Sequence, residues 1–391
     1  MAEFIPYGRQ CITQADIDAV VDVLKSDNLT QGPLVPAFEQ AVAKYCQAKY
    51  ALACNSATSA LHLACLALGV GQGDRVWTSV NSFVASSNCA LYCGAQIDFI
   101  DIDIATGNLS IAALIKKLKQ AATNNTLPKV LIPVHFAGQS CDMQAISNLA
   151  TEYGFRVIED ASHAIGGQYL SQPIGRCQYS DICIFSFHPV KIITSGEGGM
   201  ALTNQAALWK KMQLLRSHGI TRESAEMREP SHGDWYYQQI ELGYNYRMTD
   251  IHAALGLRQL NELDTWVAKR HQLAKRYIEA FQGTHIVPLD QTPLNYSAYH
   301  LFVVRLAGLS FRSKQHIFNE LRKKNIGVNL HYIPIHLHPY YQQLGFKQGD
   351  FPVAEQYYHQ ALTLPLHPGL NEQQQDYVIE RLKRLYLKEA S

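Results

Sequence analysis

Short apolar runs alternate with amphipathic stretches from about residue 50 to residue 205. Tyr50-Ala-Leu-Ala-Cys54 has the length of one buried strand, and Ala57 to Leu68 follows with helical spacing. The same pattern predicts strands at Arg75 to Ser79, Ile97 to Ile102, Val130 to His135, Phe155 to Glu159, Ile182 to Phe187 and Met200 to Thr203. Between them, Phe83 to Leu91 and Ser110-Ile-Ala-Ala-Leu-Ile-Lys-Lys-Leu118 carry the helical period. Alternating strands and helices predict an α/β fold, with a mostly parallel sheet covered on both faces.

Past Met248 the pattern changes. Thr249 to about Phe281 reads as one long helix, with Thr249 or Asp250 as its N-cap. A strand at His300 to Leu306, a helix from Ser313 to Asn325, a strand near Val328 to Ile333 and a helix from Asn371 to Lys388 follow. That is a smaller α+β unit, so we expect a large domain over 1–255 and a small C-terminal domain over 256–391. No internal repeat interrupts this division.

Composition narrows the function classes. The 391 residues carry 34 Lys+Arg against 33 Asp+Glu, so there is no basic excess to neutralise nucleic-acid phosphates. Only 17% of residues are charged, against about 25% in typical chains, while Tyr reaches 21 and His 16. That balance suits large buried or subunit-facing surfaces. The N-terminus lacks a basic stretch followed by an apolar run, and no window approaches the length of a membrane span. All nine cysteines fall within the first 183 residues and none forms C-x-x-C, which predicts free thiols in a reducing cytoplasm.

The chemistry concentrates between Val157 and Gly199. Functional groups of an α/β sheet gather at the carboxyl ends of its strands. Asp160 ends one predicted strand, and Ser186 to Lys191 leave the end of another, so one crevice receives a carboxylate, a hydroxyl and an amine. A lysine that forms Schiff bases needs surroundings that lower its pKa. Pyridoxal phosphate needs an acidic partner for its ring nitrogen and a cradle for its phosphate. Asn55-Ser-Ala-Thr-Ser59, between a strand and a helix, can make that cradle, and Phe83 can supply a flat apolar wall. Each piece alone has an ordinary explanation as a cap, a turn, a core ring or a solvated lysine. Together they point to one cofactor.

Other motifs point nowhere else. Gly69-Val-Gly-Gln-Gly73 follows a helix and lacks dinucleotide-loop spacing. His331, His336 and His338 are interrupted by prolines, without helical metal-ligand spacing, so no metal is expected.

At these residues the sequence resembles the DegT/DnrJ/EryC1/StrS sugar aminotransferases, which have the type I fold of pyridoxal phosphate enzymes. The resemblance spans nearly the whole chain. It is carried by Gln31-Gly-Pro33 with Phe38-Glu39, Asn55-Ser-Ala-Thr58, Glu159-Asp-Ala-Ser-His163, Phe185-Ser-Phe-His-Pro-Val-Lys191, Gly196-Glu-Gly-Gly199 and Gly243-Tyr-Asn-Tyr-Arg-Met248. It implies that Lys191 bonds pyridoxal 5'-phosphate, that Asp160 pairs with the ring nitrogen, and that His163 lies near the ring hydroxyl. It implies further that Ala57, Thr58 and Ser186 hold the phosphate, that Phe83 stacks on the ring, and that Asn245 reaches the phosphate from the other subunit of a homodimer. Lys191 stands where dehydrase members have histidine, which favours the aminotransferase branch.

Asn28-Leu-Thr-Gln-Gly32, Asn81-Ser-Phe-Val-Ala-Ser86, Arg216-Ser-His-Gly219 and His331-Tyr-Ile-Pro334 are similar to family members of the pseudaminic acid pathway. Those members move an amino group, expected to come from L-glutamate, to C4 of a UDP-linked 2-acetamido-2,6-dideoxy-4-keto-hexose. The implied substrate contacts are Tyr7, Asn28, Thr30, Tyr246, His331 and Tyr332. The same cofactor residues would serve the D-xylo 4-keto epimer or a dTDP-3-keto sugar. A non-catalytic regulator is a further reading, but it would not need Lys191, Asp160, Ser186 and Asn245 together.

Overall fold

The computed structural model describes residues 3–390; Met1, Ala2 and Ser391, at the ends of the two expected domains, lie outside the described residues. All seven apolar runs of the first half become strands of one sheet. They are β1 (Tyr50–Cys54), β2 (Arg75–Ser79), β3 (Gln96–Ile100), β4 (Val130–Ile132), β5 (Arg156–Asp160), then, after a two-residue ribbon β6 (Gln168–Tyr169) and β7 (Gln172–Pro173), β8 (Ile182–Ser186) and β9 (Gly199–Thr203). The order is β1-β9-β8-β5-β4-β2-β3. Only β9 runs against its neighbours, pairing antiparallel with both β1 and β8. Every residue of β8 and β9 is buried, as expected of strands covered on both faces. Because β9 returns beside β8, the loop between them is held at the carboxyl end of the sheet. Phe187 N–H to Gly198 O (2.9 Å) and Ser195 N–H to Phe187 O (3.0 Å) close its base. Lys191 is in that loop.

The covering helices include α1 (Gln14–Leu24), α2 (Leu34–Cys46), α3 (Ala57–Ala67), α4 (Ala85–Tyr92), α5 (Ile111–Asn124), α6 (Met143–Tyr153) and α7 (Ala206–Arg216). Helix α3 starts where the sequence places it, because Ser56 caps it by accepting from Ser59 N–H. Helix α4 starts two residues later than expected, so Phe83 belongs to the loop before it.

Two sequence expectations need correction. The single helix from Thr249 to Phe281 is two, α8 (Asp250–Leu260) and α9 (Leu263–Phe281), although Thr249 does cap the first through His252 N–H. The last turn tightens, with Asn261 N–H to Arg258 O and Glu262 N–H to Gln259 O. Gln259 is itself held by the N-terminal segment, through Cys11 O (2.9 Å) and Asp16 Oδ2 (2.8 Å). The expected strand at Val328 to Ile333 is also absent. Only Asn329 bridges Thr363, and the next amides are used elsewhere: Tyr332 N–H donates to Asn81 Oδ1 (3.1 Å) and Ile335 N–H to Val80 O (2.9 Å). The segment is thereby tied to the large sheet's carboxyl end.

Helix α9 passes from one core to another. Leu263, Trp266 and Val267 pack with Phe185, Phe187 and Met248. Leu273, Ala274, Tyr277 and Phe281 pack with Phe302, Val304, Leu321, Leu364 and Leu382 of the C-terminal unit. That unit's sheet joins Phe302–Leu306 to Ile286–Pro288 and Ala361–Leu364, and helices Phe311–Lys323 and Glu372–Ala390 share its apolar core through Ile317, Leu321, Val378 and Leu382. The nine cysteines are free thiols. Among the described residues no helix is long and apolar enough to cross a membrane.

Candidate active site

A cavity of about 690 Å³ opens at the carboxyl end of the sheet. Asp160 ends β5, Ser186 ends β8, and Lys191 comes from the loop beyond, and all three line it. Ala57 and Thr58, the first residues of α3, form another wall with Phe83. Tyr7 enters from the N-terminal segment, while His331 and Tyr332 come from the segment tied down by Asn81 and Val80. A second cavity, of about 460 Å³, holds Arg216 paired to Glu39 at 2.6 Å and contains none of these groups.

Burial brings the Lys191 amine down to about 8, against a smaller upward pull from the Asp160 carboxylate. Below that value the amine is charged, and above it the amine is neutral and nucleophilic. Capture of pyridoxal phosphate by the apoprotein should therefore accelerate about tenfold per pH unit below 8 and level off above it. Asp160→Asn should move the inflection to lower pH, because the upward pull is removed. Stopped-flow absorbance checks both, and a profile still rising at pH 10 would contradict the assignment.

Asp160 is held from two sides. Its Oδ1 accepts Ser162 N–H (3.1 Å) and Ser162 Oγ–H (2.6 Å), and its Oδ2 accepts Ser86 Oγ–H (2.6 Å). The carboxylate is thus fixed in a buried position on the wall of the cavity.

The α3 terminus, which lines the cavity, has electrostatics that suit an anion. Its first amides have no intrahelical acceptor, and the helix dipole places partial positive charge there. Strand β9 passes so close behind that a Cβ on Gly199 would lie 2.4 Å from Ala57 N and 2.5 Å from Ser56 C. Glycine at 199 thus lets the sheet support the cradle directly.

His163 is kept neutral: burial holds it well below the usual histidine range, with Lys191 and His331 adding repulsion. Its Nε2 lies 3.1 Å from the Tyr332 hydroxyl, while its buried Nδ1 has no partner in the protein. Burial keeps that phenol protonated, with help from Asp160 and Tyr7, so it can donate to Nε2 and leave Nδ1 as a donor. Burial also depresses His331 to about 3, and its Nδ1 lies 2.8 Å from Thr363 Oγ1. The wall facing Lys191 is therefore polar and aromatic without being charged.

Of the residues singled out from sequence, Tyr7, Ala57, Thr58, Phe83, Asp160, His163, Ser186, Lys191, His331 and Tyr332 line this cavity. Asn28, Thr30 and Asn245 are exposed outside it. Tyr246 also lies outside, with its hydroxyl 3.2 Å from His62 Nδ1 and its ring stacked on Tyr244. Sequence reasoning missed Ser82, Ser162 and Glu197 as lining residues and Ser86 as the partner of Asp160. The four-residue spacing from Ser82 to Ser86, directly before and within a helix that follows a strand, was the available signal.

A helix terminus for a phosphate, a buried carboxylate, a depressed lysine and an unpartnered imidazole donor fit pyridoxal phosphate. With the sheet order above, they define a type I pyridoxal phosphate aminotransferase. The DegT/DnrJ/EryC1/StrS aminotransferase family matches residues 10–383, and the chain belongs to that family. It is 40% identical over 390 residues to the Bacillus subtilis spore coat polysaccharide biosynthesis protein SpsC, covering 97% of this chain and 96% of the relative. It is 38% identical over 381 residues to a Campylobacter jejuni UDP-4-amino-4,6-dideoxy-N-acetyl-beta-L-altrosamine transaminase, covering 97% and 96%. The solved structure of Helicobacter pylori PseC, an aminotransferase involved in the biosynthesis of pseudoaminic acid, superposes with a TM-score of 0.90 at 31% identity, covering 99% of this chain and 100% of that one. Other solved neighbours were obtained in PLP and PMP forms. The cofactor is pyridoxal phosphate, and the activity is that of a sugar aminotransferase.

Proposed function

We propose that the chain transfers the amino group of L-glutamate to C4 of UDP-2-acetamido-2,6-dideoxy-β-L-arabino-hexos-4-ulose, giving UDP-4-amino-4,6-dideoxy-N-acetyl-β-L-altrosamine. The observation that carries this reading is the wall of Tyr7, His331 and Tyr332 in the same cavity as Lys191. Neutral aromatic and imidazole groups offer hydrogen bonds and flat faces to a sugar without competing with its diphosphate. The Campylobacter and Helicobacter relatives support the pathway. The Bacillus relative is as similar in sequence, so overall likeness does not choose the sugar.

Bound pyridoxal phosphate supplies an electron sink for loss of the donor's α-proton. Ala57 and Thr58 amides and Ser186 would hold its phosphate, Phe83 its ring face, Asp160 its ring nitrogen and His163 Nδ1 its ring oxygen. Lys191 Nζ, with a basicity near neutrality, can accept a proton and return it on one face. In this reading the enzyme is a homodimer, with the large domain ending near residue 255. Asn245, Asn28, Thr30 and Tyr246 lie outside their own cavity and would complete that of the partner copy.

Two experiments test this. Incubation with glutamate and each keto-sugar nucleotide should give the 4-amino product, identified by NMR, with the UDP-acetamido sugar; turnover confined to a dTDP-3-keto sugar would refute the substrate. Dimers mixed from Lys191→Ala and Asn245→Asp chains should regain about a quarter of wild-type activity, because half of random dimers carry one intact site. No recovery would refute the shared site.

A further inference from the structure

We propose that Ser86 is a positioning residue for this reaction: its hydroxyl, oriented by Ser82, fixes the Asp160 carboxylate toward the cofactor's ring nitrogen. The inference rests on the reading of Asp160 given above. The two oxygens of Asp160 are held differently. Oδ1 is bonded by Ser162, two residues along the same turn, which moves with Asp160. Oδ2 is bonded by Ser86, 74 residues away in the first turn of α4. Only the second bond ties the carboxylate to another element of the fold.

The direction of the hydroxyl chain follows from the chemistry. An ionised carboxylate only accepts, so the single Ser86 O–H must point at Asp160. Ser82 Oγ, 2.7 Å from Ser86 Oγ, must then be the donor in that pair. Both serines are buried, Ser86 completely, so no bulk water competes for these bonds. Ser82 lines the cavity, and Phe83 follows it immediately. One short segment, Ser82 to Ser86, therefore presents both a ring wall and the hydroxyl that orients Asp160. A hydroxyl serving packing alone would affect melting but not the electronic state of the cofactor.

The test uses holoenzyme carrying Ser86→Ala, Ser86→Thr or Asp160→Asn. We would measure the pH titration of the cofactor's visible band, kcat and KM for glutamate, and Tm. Ser86→Ala should move the titration midpoint by about half a unit or more and lower kcat about tenfold, with KM changed less than about twofold. Ser86→Thr, which keeps the hydroxyl, should restore both. A wild-type midpoint and kcat in Ser86→Ala would overturn the proposal. So would a Ser86→Thr variant as impaired as Ser86→Ala with an equally lowered Tm, because that pattern is packing. An Asp160→Asn variant with an unchanged band and kcat would remove the reading of Asp160 and this inference with it. An impaired Asp160→Asn beside an unaffected Ser86→Ala would remove this inference alone.

Discussion

Lys191→Ala is expected to lower kcat by at least about 10³-fold while the protein still folds and melts close to the wild type. In the proposed function the lysine supplies two things: the cavity's primary amine, able to bond the cofactor, and a base close to neutrality. His163 and His331, two further nitrogen bases of the cavity, are held too far below neutrality to take over. Stability should change little, because Lys191 lines a cavity and makes no ion pair among the described residues. Burying its amine already costs free energy, as its depressed pKa records. Rapid-quench assays with Tm as control check this. A fall in kcat below tenfold would contradict the assignment.

Asp160→Asn should cost about 10²- to 10³-fold in kcat, again without unfolding. The amide keeps the shape of the carboxylate, and its oxygen can still accept the two Ser162 donors. Its NH2 would face Ser86, whose hydroxyl can turn toward Ser82 instead of pointing at residue 160. The local network survives, but the negative charge that the proposed function pairs with the cofactor's ring nitrogen does not. A variant within about threefold of wild-type kcat would show that this charge does not assist the reaction.

Much of this site was legible in the sequence because its main residues sit at strand ends, and strands announce themselves as short apolar runs. Asp160, Ser186 and the loop to Lys191 needed only β5 and β8 to be found. The α3 cradle needed only Ser56 and the helical period behind it. What periodicity could not show was fixed by distant partners. The break at Asn261 follows a glutamine anchored to Cys11 and Asp16. The irregular backbone from His331 to Ile335 has its Tyr332 and Ile335 amides satisfied by Asn81 and Val80, far away in sequence. The bond from Ser86 to Asp160 joins two helix and strand ends whose adjacency depends on β2 and β5 flanking β4. Family resemblance named Tyr7, His331 and Tyr332, which line the cavity. It also named Asn28, Thr30, Asn245 and Tyr246, which a single chain places outside it.

The most direct measurement is the second half-reaction alone. Holoenzyme would be incubated with L-glutamate until its visible cofactor band bleaches, freed of donor, and mixed separately with the β-L-arabino 4-keto sugar nucleotide and its D-xylo epimer. The proposed function requires rapid return of the band with the L-arabino compound and little return with the epimer. Return with the D-xylo sugar alone, or with neither, would contradict it.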